Sequence, residues 1–265
     1  MNKFFSVILS TVLFAQTYPG DDAVRKGVHA FYNYETANAI EILEEARLDY
    51  PKNPTVHLTW AAARWLHNQA NSSVEQTYID LENDLNEVIP IYKLLTKKFP
   101  DDPNYQLYLG SATGLMARIY LGKKEWLETL NWAYSGFRII QKVEADHPNI
   151  VDAALPIGIV EYYAGLSNVI IQWGASLLGL DPSRERGLTK IERAANDGPW
   201  SWIEARGIVS FLYLWVDVDP EKALEYSGEL VAEFPGNFYF RILYTESLIR
   251  SGKMNTALTS LNILK

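Results

Sequence analysis

Ala223-Leu224-Glu225-Tyr226-Ser227-Gly228-Glu229-Leu230-Val231-Ala232-Glu233-Phe234-Pro235 carries the spacing that decides the fold. Ala223 is followed four positions on by Ser227, three more by Leu230, and five beyond that by Pro235. Residues at such offsets share one stripe of an α-helix, and a proline just past them ends it. The same spacing recurs at Ala39, Leu43, Ala46 and Pro51, and at Val88, Tyr92, Leu95 and Pro100. It returns at Gly136, Ile140, Val143 and Pro148, and at Gly187, Ile191, Ala194 and Pro199. A sixth copy, Ala257, Leu261 and Leu264, has no proline behind it. A helix-ending unit repeated in series predicts an all-α superhelical solenoid of about six antiparallel helix pairs.

Successive anchors, from Ala39 to Ala257, are 49, 48, 51, 36 and 34 residues apart. The short intervals suit a helix–turn–helix unit, and the long ones predict elongated helices in the first units. Gly252 and Lys253 precede Ala257 by five and four positions, while Gly27 and Ala30 precede Ala39 by twelve and nine. On these residues the array resembles the tetratricopeptide repeats (TPR), which turn at the first pair and pack closely at the second. An early tryptophan typical of that family's first helix is absent. The chain is also similar to exported bacterial TPR-like proteins with extended helices. The resemblance implies a binding scaffold with a concave face for a peptide or protein partner.

The N-terminus reads differently from the rest. Lys3 is the only charge before Asp21, and Phe4 to Phe14 form an apolar run ahead of Ala15. Residues 1–15 are therefore expected to be a secretory signal, with the repeat array over 16–265. Without cysteine, neither a disulfide nor a lipid-anchoring thiol is available, so a periplasmic or extracellular protein that is not a lipoprotein is expected. The net charge of −8 and the lack of clustered Lys and Arg argue against nucleic acid.

Catalytic signals are scarce. His29, His57, His67 and His147 have no metal-ligand spacing, and neither a phosphate loop nor a nucleophile elbow is present. The reading is non-catalytic, with no cofactor and no metal. Glu75, Asp80, Glu82, Asp84 and Glu87 read as an exposed acidic helix face, and Pro90 as a kink or break in that helix. Residues 162–180 contain no charge but several polar groups and glycines, which predicts a packed apolar insertion rather than a membrane span. Peripheral envelope association would follow if one face of it stayed uncovered. Glu161, Tyr162, Tyr163, Trp173, Arg184 and Arg186 form the best local mixture of rings and charges, and are the candidate partner-binding residues. Paired tryptophans at 60/65, 126/132 and 200/202 read mainly as core. Rings lining a groove would instead suit a carbohydrate or small ligand, the alternative function. Mass spectrometry of protein recovered from cells is expected to find a chain beginning at Gln16, and an intact Met1 would oppose export.

Overall fold

The computed structural model describes residues 17–167, 176, 179 and 182–264. The expected signal at 1–15, Trp173, and most of the apolar run after Ser167 lie outside the described residues. The helices are α1 (Asp21–Tyr32), α2 (Thr36–Asp49), α3 (Val56–Asn71), α4 (Val74–Lys98), α5 (Pro103–Gly122) and α6 (Trp126–Asp146). A single 3-10 turn, Val151–Ala153, leads into α7 (Ala154–Leu166). Then come α8 (Arg184–Asp197), α9 (Trp202–Trp215), α10 (Pro220–Glu233), α11 (Phe238–Arg250) and α12 (Met254–Ile263). No strand occurs among the described residues, and the helices pack on their sequence neighbours as six antiparallel pairs. The fold is an α-solenoid of helix pairs, with its longest helices, α4 to α6, in the second and third pairs.

All six repeat anchors fall on the second helix of a pair, and all are buried. Ala39, Leu43, Val88, Tyr92, Ile191 and Ala194 are each fully inaccessible. The requirement for a small anchor is steric. A Cβ on Gly136 would lie 2.5 Å from the Gly114 nitrogen and 2.6 Å from the Gly110 carbonyl oxygen, both backbone atoms that cannot turn aside. Gly187 meets the backbone of α7 in the same way, at Gly158 and Tyr162. Leu261, 38% exposed, is the exception, because no described helix follows α12 to cover it.

The ring-proline steps behave as the sequence implies. Tyr50, Phe99, His147 and Phe234 are C-caps with φ of −127, −127, −134 and −122°, outside helical geometry because a proline follows. Asp102 caps α5 by accepting from the Asn104 N–H at 3.0 Å, with Pro103 opening the helix. Ser73 caps α4 likewise. Turns within pairs use a left-handed residue two positions before the second helix: Tyr34, Lys124, Val218 and Gly252. Only one of these is glycine. Val218, with φ 54°, holds a β-branched side chain where such residues are strained.

Two expectations need correction. Helix α4 continues unbroken through Pro90. The ring and Asn86, whose carbonyl loses its donor, both lie on the exposed face, where water can replace that bond. Nor is the acidic stretch a plain solvated face. Asp84, 5% exposed, accepts from Arg64 at 2.8 Å, Glu82 pairs with Lys123 at 2.6 Å and Glu87 with Arg47 at 2.5 Å. Asp80 accepts from Asn68 at 3.0 Å. These acids tie α4 to α2, α3 and α5. Their partners, Arg47 and Arg64, also sandwich the Trp60 ring at 3.7 and 5.0 Å.

The superhelix closes on its own first helix. Arg25 stacks on Trp200 at 4.1 Å and donates to the Pro199 carbonyl at 3.1 Å. Asn237 donates to the Tyr32 carbonyl at 2.7 Å, and the Gly236 N–H to Asn33 Oδ1 at 3.1 Å. Tyr32 packs against Phe234 and Phe240 at 5.5 and 6.0 Å. At the other end of α1, Tyr18 donates to Asp102 at 2.8 Å. Val28 touches both major cores, so α1 bridges them.

Gly187→Ala is expected to destabilise by about 1–3 kcal/mol through overpacking. Gly114→Ala, whose Cβ would enter open space, is expected to stabilise by about 0.5–1 kcal/mol. Thermal unfolding of the two variants, with opposite signs, checks the assignment. Val218→Gly, relieving the left-handed turn, is expected to raise the melting temperature.

Candidate binding cavity

Closure around α1 leaves a cavity of about 560 Å3 inside the superhelix. Its walls come from first helices of successive pairs: Val28 and Phe31 of α1, Leu58, Ala62 and Trp65 of α3, Leu107, Ser111 and Leu115 of α5, Leu155 and Ile159 of α7, and Glu204 of α9. Of the second helices, only α2 reaches this lining, through Leu43. A smaller chamber of about 210 Å3 adjoins it and shares Phe31, Tyr32, Leu66 and Glu204 as a common wall. Tyr34, Tyr239 and Phe240 complete much of that chamber. No Lys, Arg or His lines either space among the described residues.

Two carboxylates face these spaces, and they differ. Asp152 Oδ1 accepts from the Trp200 N–H at 3.1 Å, the Ser201 N–H at 2.8 Å and the Ser201 hydroxyl at 2.7 Å. It is a structural clamp between the turn before α7 and the start of α9. Glu204 has one partner, the Tyr32 hydroxyl, which donates at 3.3 Å. Glu204 is solvent-exposed where it lines the two open spaces, and the protein atoms crowded around it still raise its carboxyl above the usual range. Burial, then the Glu204 charge, pushes the Tyr32 hydroxyl well up. Burial followed by the charge of Glu204 also raises Tyr239. Deeper in the wall, Thr55 donates to the Tyr108 hydroxyl at 2.9 Å, and burial raises that phenol strongly.

The described members of the candidate partner-binding group, all but Trp173, gather elsewhere, around α7 and α8. Glu161 accepts from Lys190 at 2.8 Å, and Lys190 also reaches Glu144 of α6 at 2.8 Å. Burial alone would lower Lys190, but the two carboxylates carry it above its ordinary value. Tyr162, fully buried, donates to Asp217 at 2.7 Å, and Arg184 pairs with the same carboxylate. Burial raises the Tyr162 hydroxyl. Arg186 donates its backbone N–H to the Ser183 cap at 3.2 Å. Tyr163, 47% exposed, stands edge-on to Tyr162 at 5.6 Å and is the most open ring of the group. The side chains of Glu161, Tyr162 and Arg184 thus join neighbouring helices to one another.

The tryptophans divide in the same manner. Trp60 is core, Trp132 stacks on Tyr120 at 6.3 Å, and Trp126 is 62% exposed. Trp65 and Trp200 line the large cavity. Glu204, Tyr32, Tyr34 and Tyr239 carry no motif that would have picked them out, since they meet only when the superhelix closes.

No family model matches the chain, and no curated protein matches it. Among solved structures, a thermophilic TPR protein from Thermus thermophilus is similar, at 18% identity and a TM-score of 0.47. That likeness covers 87% of this chain and 100% of the other.

Because Glu204 titrates above its ordinary value of 4.5, the folded state holds the extra proton in the interval between the two. Stability therefore falls as pH rises through that interval. E204Q removes this penalty, so the stability of E204Q relative to the parent is expected to increase from acid to neutral pH. Urea unfolding at several pH values checks the sign.

Proposed function

We propose that this protein is an exported, non-catalytic binding protein of the cell envelope that holds its ligand in the half-open cavity on the inner side of the superhelix. An open repeat array offers an extended concave track for a peptide. Here α1 and its contacts to residues 199–241 narrow that concavity, and what remains is a half-open pocket. The observation that carries the reading is the cavity of about 560 Å3, walled by aliphatic and aromatic side chains from five successive pairs. Such a space suits a small molecule or a single apolar anchor rather than a long strand of peptide.

Protein partners retain a place on the outside. Glu161, Tyr162, Tyr163, Trp173, Arg184 and Arg186 remain the proposed partner-binding group, with the exposed Tyr163 ring as its contact. Export rests on the apolar run before Ala15. No helix among the described residues is long and apolar enough to cross a membrane.

Filling the cavity tests the central claim. Native mass spectrometry of protein recovered from its own envelope is expected to show a bound mass that is lost from a folded Ser111→Trp variant. A bound mass retained by that variant would place the ligand elsewhere.

A further inference from the structure

The adjoining chambers differ in chemistry, and their difference specifies a ligand. The small chamber presents Phe31, Tyr32, Tyr34, Tyr239 and Phe240 around one carboxylate, Glu204. Phe31 stands edge to face with Tyr32 at 4.8 Å, Tyr32 stacks on Phe240 at 6.0 Å, and Tyr239 is tilted against Phe240 at 6.2 Å. Aromatic faces carry negative potential and attract a cation within about 6 Å of the ring centre. A carboxylate beside them adds a full charge, and among the described residues no basic side chain lines the chamber to neutralise it. The large chamber, sharing the Glu204 wall, is predominantly apolar.

We propose that the small chamber is an aromatic cage for an organic ammonium group and the large chamber holds its apolar body, so that the ligand is a cationic amphiphile. The proposal rests on the reading of the cavity as a ligand site and names the ligand's class. A hard metal ion does not fit, because it would need several oxygen ligands and the small chamber offers one carboxylate. A fatty acid does not fit either, since its head would meet Glu204 with no cation nearby. A quaternary or alkyl ammonium spreads its charge over carbon, matches ring faces, and relieves the desolvation that raises the Glu204 carboxyl. The turn that places Tyr34 has φ 62°, so the backbone accepts an uncommon conformation where that ring enters the wall.

Titration calorimetry of the full chain with decyltrimethylammonium, decanol and decanoate, which share one tail length, tests the class. Decyltrimethylammonium is expected to bind about tenfold more tightly than decanol, with decanoate weakest. E204Q is expected to lose most of that preference while keeping decanol binding. The Tyr34→Leu, Tyr239→Leu double variant should do the same through the rings. Both tyrosines are more than 40% exposed, so this variant keeps the test open if E204Q fails to fold. Equal binding of the three probes, a preference for decanoate, or an ammonium preference unchanged in both variants would overturn the ligand class and leave the cavity reading standing. Failure of every probe to bind folded protein would remove both. Co-sedimentation with phosphatidylcholine vesicles, without uptake of free decyltrimethylammonium, would overturn it in favour of a head group read at a membrane surface.

Discussion

Everything inside this superhelix depends on α1 meeting the far end of the chain. Repeat arrays ordinarily hold only nearest-neighbour contacts. Here Arg25 on Trp200, Tyr32 clustered with Phe234 and Phe240, and Asn237 bonded to the Tyr32 carbonyl add a second kind of contact. The groups are well matched for it. A guanidinium over an indole and a fan of packed rings gain from partial burial, and Asn237 satisfies a helix-end carbonyl that would otherwise need water. Without that contact the concave side would be a trough, and Glu204 would line no chamber.

The second helices make the closure possible. Small anchors at Ala39, Gly136, Gly187, Ala223 and Ala257 set how nearly each pair approaches the next, and hence the curvature summed over the array. Ion pairs on α4 and the Lys190 bridge between α6 and α7 fix the longer helices, where side-chain stems alone leave more freedom. Rigid outer helices and an inner wall of mixed aromatics therefore divide the labour. One layer sets shape, and the other sets what fits.

The repeats were legible because packing between neighbours is local, so each unit writes the same offsets and the same ring-proline step. Tyr50, Phe99, His147 and Phe234 could be placed at helix ends from their prolines alone. Closure was not legible. It sums small rotations over six pairs, and residues such as Tyr32 and Asn237, 205 positions apart, share no pattern that one chain reveals. The same blindness explains the site. Sequence proximity drew Glu161, Tyr162 and Arg184 together, but their side chains join α7 and α8 to each other and to Asp217 in the turn after α9. The rings around Glu204 come from α1, α9, α11 and one turn, and only the closed form collects them.

Closure also changes how the chain must fold. An open solenoid can nucleate anywhere and grow outward, unit by unit. This one cannot finish that way, because α1 makes contacts at separations of 172 to 205 residues. Until α9 to α11 exist, the apolar flank of Val28, Phe31 and Tyr32 waits uncovered. Joining such distant segments costs loop entropy that grows slowly with length, so pre-formed middle pairs that shorten the free span make the last step affordable. The final event in folding is then a docking of the two ends, and the cavity comes into being only at that moment.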